Sequence, residues 1–262
     1  MKKFLALSLL CFCFSNLLAQ SRVMILGTTH VRSERFNPDS IITVMDKFKP
    51  DVILIELDTS LMDTNGDLKG KAAASDENEE VAMRRYKKQH PETYIRCFDI
   101  EYRSLYYQTH QTFATEASLD KAIDSLWHHN GLDRESMQII SALNRLNSAL
   151  DIIMDMGITA INSKEYKELA GLRQNWMYHK RLAVIARTPA LHGYYNFYKD
   201  DGQFWDTRNK RMINNIASYA KTFKGKKILV LTGAMHTYYQ IGGLIPLQNE
   251  FGFKLVEPPL GN

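Results

Sequence analysis

One short pattern occurs twice in the 262-residue chain, and reactive residue types concentrate around it. Gly27-Thr28-Thr29-His30 follows the apolar run Val23-Met24-Ile25-Leu26, and Gly233-Ala234-Met235-His236 comes one residue after Ile228-Leu229-Val230-Leu231. Glycine lets a chain leave a sheet tightly, or lets another group approach its backbone. Each histidine then falls just past the carboxyl end of a strand, where ligand and catalytic groups of open α/β sheets gather. Glu56 ends a further apolar run, Val52-Ile53-Leu54-Ile55, and reaches the same edge. A carboxylate buried there is costly unless a cation or hydrogen bonds compensate it. Two histidines and a carboxylate at one edge match a divalent-metal site, and zinc, manganese, iron and cobalt all suit that donor set. In this reading His30 and His236 are ligands. Glu56 is a third ligand or the general base that takes a proton from metal-bound water. A lone histidine after a strand is more often structural; the repeat of the pattern, with Glu56, favours a functional site.

Supporting residues follow from position. Asp99 and Glu101 close a third strand candidate, and Asp58 would share the face of Glu56 if the second strand continued. These three are expected to ligate the metal or to support its ligands. Late in the chain, Arg208 and Asn209 lie three and four residues after Trp205 and beside an apolar stripe of Trp205, Met212, Ile213, Ile216 and Tyr219, while Lys210 points away. An arginine on a core-facing stripe needs an anion. That anion is either a substrate carboxylate or oxyanion, or a structural partner among Glu56, Asp99 and Glu101. Asn209 is expected to orient Arg208 or to donate to substrate.

The elements that must position these groups are legible. Asn37-Pro38 reads as a helix start, with Ile41, Ile42, Met45 and Phe48 at helical spacing and Lys49-Pro50 as the stop. Strand, helix and strand with no polar alternation mean a buried parallel sheet. A polar stretch over 59–80 reads as a loop, and a charged helix follows to Gln89. From about 103 to 222 the chain reads as helix, with candidates at 118–129, 133–156, 163–187 and 204–222 and breaks at Gly131, Gly157, Pro189 and Gly202. Phe253 to Val256 reads as an edge strand. The expected fold is α/β: a mostly parallel central sheet flanked by helices, with a large helical insertion between the third strand and the late Gly-x-x-His strand. Because the site needs both ends of the chain, residues 20–262 are expected to form one domain.

Composition bounds the rest. Hydrophobic residues are 45% and charged residues 24%, which excludes gross disorder, collagen and coiled coil. Met1-Lys2-Lys3, the apolar Phe4–Phe14 and a small residue at Ala19 read as a secretory signal over 1–19. Its loss takes two lysines and lowers the net charge from +4 to +2, so no nucleic-acid partner is expected. It also removes Cys11 and Cys13, leaving Cys97 and no intrachain disulfide. The expected location is exported, periplasmic or extracellular, with no stable membrane anchor after signal cleavage.

Gly27-Thr28-Thr29-His30 after a strand, Glu56, Arg208-Asn209 with Met212, and Gly233-Ala234-Met235-His236 together resemble the TraB/GumN/Tiki family. Its wider superfamily includes erythromycin esterases and haem-binding ChaN proteins. The resemblance spans residues 22 to 236 and points to an uncharacterised bacterial branch. It implies a metal-dependent hydrolase acting on a peptide, ester or amide bond of a small-molecule or peptide substrate, with both histidines and Glu56 at the site. The alternatives are a haem or metal carrier of the ChaN kind without turnover, and a degenerate, non-catalytic member. The long helical block and the 59–80 loop depart from close relatives and leave the substrate open.

Overall fold

The computed structural model describes residues 20–63 and 66–260; the expected signal at 1–19 lies outside the described residues. Five strands form one sheet: β1 Ser21–Thr28, β2 Val52–Ile55, β3 Tyr94–Cys97, β4 Lys227–Gly233 and β5 Phe253–Val256. Their order is β3-β2-β4-β1-β5, and every pairing is parallel. The expected α/β sheet is thus present, and it is wholly parallel.

Nine helices are used below: α1 Pro38–Phe48, α2 Asn78–Gln89, α3 Arg103–Thr109, α4 Thr112–His128, α5 Arg134–Asp155, α6 Lys164–Asn175, α7 Arg181–Arg187, α8 Tyr195–Thr222 and α9 Thr237–Leu244. Helix α1 starts as its sequence dictates. Asn37 accepts from the Asp39 and Ser40 amides, Ser40 returns the bond, and Pro38 fills the first turn.

Strand residues alternate between two cores, which explains runs that are apolar on both faces. Met24, Leu26, Ile53, Ile55, Leu229 and Leu231 pack with α1, α2 and α6. Val23, Ile25, Val52, Leu54, Ile228 and Val230 pack against the α8 stripe Met212, Ile213, Ile216 and Ala217. A third cluster, including Leu119, Ile139, Val184 and Tyr198, lies within the helical block. Among the described residues no helix is long and apolar enough to cross a membrane.

Gly202 differs from its expected role as a break, because α8 runs through it from Tyr195 to Thr222. A Cβ at Gly202 would stand 3.4 Å from the Tyr178 ring, so the glycine serves close packing. The turn at Trp176–Lys180 joining α6 to α7 is a π-helix, so the block expected at 163–187 is continuous but locally widened.

The strand order sets the site. From β1 the chain crosses β4 to reach β2; from β4 it crosses β1 to reach β5. The two connections run in opposite directions on opposite faces of the sheet, α1 on one and α9 on the other, which opens a crevice at the carboxyl ends of β1 and β4. Both Gly-x-x-His segments leave the sheet there.

Candidate functional site

Gly27 closes the β1 end without room for a side chain. A Cβ there would meet Thr237 Cγ2 at 2.9 Å and Ala234 Cα at 3.2 Å. Asn162 clamps this residue, accepting from the Gly27 amide at 2.7 Å and donating to its carbonyl at 2.9 Å. The first motif is therefore packed directly onto the second.

Glu56, Asp99, Arg208, Asn209 and His236 converge, as the sequence predicts, and all five are buried. Arg208 Nη2 donates to Glu56 Oε1 at 2.5 Å and to Asp99 Oδ2 at 2.9 Å, and Nε donates to Asp99 Oδ1 at 2.8 Å. Arg103 adds a second cation, 2.7 Å from Asp99 and 3.8 Å from Glu56. The other Glu56 oxygen accepts from Thr232 Oγ1 at 2.6 Å and from the Gly233 amide at 2.7 Å. Gln240 orients that hydroxyl by donating to it at 2.9 Å. Burial opposes ionisation of Glu56 and a charged His236 would favour it. With His236 neutral near pH 7, Arg208, Thr232 and Arg103 hold the carboxylate well below its usual range.

His236 is locked by its partners. Arg208 Nη1 lies 3.1 Å from Nε2; arginine can only donate, so Nε2 carries the lone pair. Nδ1–H then donates to Asn209 Oδ1 at 2.8 Å, while the Asn209 amide nitrogen donates to the Trp205 carbonyl. The ring stacks on Trp205 at 4.3 Å between centroids. Burial, aided by the Arg208 charge, depresses its pKa to about 4.

His30 stands apart, half-exposed, at the mouth of the same crevice. Its Nδ1 lies 3.1 Å from Glu79 Oε1 and 3.4 Å from Glu77 Oε2. The hydrogen bond to Glu79 outweighs burial and raises its pKa to about 9. The Thr28 hydroxyl bonds to Glu79, and Asn78 ties α2 to the loop by donating to the Thr29 and Val31 carbonyls at 2.8 and 3.0 Å. Next in the same wall, Glu80 is pushed up to about 7 by burial and by Glu79 and Glu77.

Two of the expected assignments are corrected by this geometry. Strand β2 ends at Ile55, so Asp58 does not continue the face of Glu56. It caps the turn at Thr59–Leu61 through the Ser60 amide at 2.8 Å and accepts from the Tyr102 amide. Strand β3 ends at Cys97, and Glu101 is exposed, 3.5 Å from the Thr59 hydroxyl and away from Arg208. Of the acids proposed as support, Asp99 alone joins the site.

The metal ligands divide as well. His30, His236 and Glu56 all border Gly233, where an added Cβ would lie 3.9 Å from His30 Nε2 and 3.6 Å from Glu56 Oε2. His236 turns a ring carbon to that point and its lone pair to Arg208, while both Glu56 oxygens already accept hydrogen bonds. That triad does not fit a cation in this arrangement, because Arg208 takes His236 Nε2 and Glu56 Oε1, and Thr232 and Gly233 take Glu56 Oε2. Among the described residues, the group with ligand atoms in range of one another is His30, Glu77 and Glu79. Ligand atoms about 2.1 Å from a tetrahedral ion stand about 3.4 Å apart, close to the spacing here. That spacing is measured to Glu79 Oε1, which also accepts from Thr28, while Glu79 Oε2 is buried with no hydrogen-bond partner among the described residues.

Both groups line a cavity of about 920 Å³, walled further by Tyr107, Tyr166, Tyr178 and Trp205. Sequence reasoning missed Glu77, Glu79 and Arg103. The acids open a helix, where carboxylates are ordinary partners of the helix dipole, and only tertiary structure brings them to His30. Fold and site together define a parallel α/β protein with a polar crevice at its topological switch point. No protein-family model, curated protein or solved structure matches this chain.

Proposed function

We propose that this protein is an exported, metal-dependent hydrolase of a peptide, ester or amide bond, of the TraB/GumN/Tiki kind. The observation that carries the reading is the meeting of His30, Glu77 and Glu79 with an arginine–carboxylate floor in one cavity at the strand ends. These three residues would hold the ion, which supplies a nucleophilic water near neutral pH by lowering its pKa toward about 7.

The remaining roles belong to the chain. Glu56 is held ionised with both oxygens bonded, so it serves as a fixed anion and not as the base. Glu80 lines the same cavity with a buried Oε2 that has no partner among the described residues, which makes it the carboxyl placed to accept a proton. Arg208 spends its donors on Glu56, Asp99 and His236 and acts as a positioning residue. Arg103, held by Asp99, lines the cavity with donors to spare and would face a developing oxyanion.

The test is hydrolysis of a panel of peptides, esters and amides by metal-loaded protein. Turnover lost on chelation and in His30→Ala supports the reading. A bound ion without turnover supports the carrier alternative. Neither ion nor turnover leaves the degenerate reading.

A further inference from the structure

One wall of the cavity takes no part in this chemistry. Tyr166, Arg173 and Gln174 lie on α6 at a spacing that puts them on one face, and all three line the cavity. Tyr166 is fully buried, yet its hydroxyl has no hydrogen-bond partner among the described residues. Such a donor is costly to bury unless something completes it. Arg173 is half-buried. Its Nε donates to Asn147 Oδ1 at 2.9 Å and its Nη1 to Gln174 Oε1 at 2.5 Å, both neutral acceptors. Among the described residues no carboxylate lies within 4.0 Å of it, whereas Arg103, Arg181 and Arg208 each have an acidic partner. The cavity's own acid on this side, Asp155, is exposed and forms no ion pair with Arg173. Two amides therefore hold a guanidinium that has no ion pair among the described residues, with Glu116 the acid in its wider electrostatic reach, on the helix face that also carries the unused Tyr166 hydroxyl. That combination suits a planar oxyanion.

We propose that this wall is a carboxylate subsite: the ligand is an acyl or peptide compound with a free carboxylate, taken by Arg173 Nη2 and the Tyr166 hydroxyl. The stacked Tyr178 and Trp205 rings, 5.5 Å apart, give the same cavity an aromatic surface for an acyl group. As a statement about substrate, this rests on the hydrolase reading, in which the cleaved bond would lie toward His30. As a statement about binding, it does not.

The test is calorimetric titration of the full chain with N-benzoylglycine and, separately, with its uncharged amide. The acid is expected to bind at least about tenfold more tightly than the amide, the scale of a charge-assisted hydrogen bond. Arg173→Met should bring the acid to the level of the amide, Arg173→Lys should keep part of the preference, and Tyr166→Phe should weaken the acid several-fold. Tyr166→Phe removes one oxygen and preserves the ring, so it carries the test if Arg173→Met fails to fold. Equal affinity for acid and amide, no binding of the acid, or a folded Arg173→Met with unchanged affinity would overturn the proposal. Acid-selective binding without turnover on any panel substrate would sink the hydrolase reading and keep the subsite. Turnover without acid selectivity would do the reverse.

Discussion

Replacing Arg208 by Met is the most informative perturbation of the buried floor. Four contacts vanish: two to Asp99, one to Glu56 and one to His236. Asp99 keeps Arg103 and the Ile100 amide, while Glu56 keeps Thr232, Gly233, Arg103 at 3.8 Å and His236 Nε2 at 3.6 Å, which is neutral near pH 7. Breaking a buried ion pair from one side costs about 3–5 kcal/mol, because a charge is left uncompensated. With Arg103 still present, the lower end, about 3 kcal/mol, is expected, or roughly 6–12 °C in Tm for a chain of this size. Wild-type Glu56 has a depressed folded pKa, so its stabilisation is present above the unfolded value, about 4.3, and is lost as pH falls through the folded one. In Arg208→Met that pKa rises instead. The stability gap should therefore widen from about pH 4 to pH 7, as read by urea unfolding at each pH. Adding Glu56→Gln removes the stranded charge and should recover about 1 kcal/mol or more. A gap below about 1 kcal/mol at pH 7, or one that does not change with pH, would show that Arg208 does not hold Glu56 ionised.

Three further outcomes follow. Gly27→Ala should cost about 1–3 kcal/mol in chemical unfolding, since its Cβ would meet the Ala234 backbone at 3.2 Å; unchanged stability would show that the two motifs are not packed as described. His236 should stay neutral until about pH 4 by NMR of its ring. Because that pKa is depressed, the linked stability is present above the unfolded value near 6.5 and lost as pH falls from there toward 4; a ring midpoint above 6 would contradict the lone-pair assignment. Asn162→Ala should cost about 2 kcal/mol in Tm-derived stability by stranding the buried Gly27 amide and carbonyl, and a neutral effect would count against the clamp.

Much of this arrangement is legible in the sequence, for identifiable reasons. Apolar runs without alternation marked β1, β2 and β4 as buried, and a strand-end glycine marked where each motif turns away. The stripe through Trp205 and Met212 placed Arg208 and Asn209 on the inner face of α8, and Lys210 is indeed exposed. What could not be read was adjacency. Nothing local says that β4 inserts between β1 and β2, which puts His236 beside Glu56. Nor does it say that α2 returns to His30 with Glu77 and Glu79. Asp58 misled because an apolar run does not show where hydrogen bonding stops, and β2 ends one residue before Glu56. Gly202 misled because a glycine that admits the Tyr178 ring looks, in sequence, like one that ends a helix.

The ion site proposed above is His30, Glu77 and Glu79, in place of His236 and Glu56. Elemental analysis of untagged protein, as divalent ions per chain in wild type, Glu79→Gln, His30→Ala and His236→Gln, tests it most directly. One ion per wild-type chain is expected, lost in Glu79→Gln and His30→Ala and retained in a folded His236→Gln. An ion that survives Glu79→Gln but is lost from His236→Gln, or no ion in any of them, would contradict it.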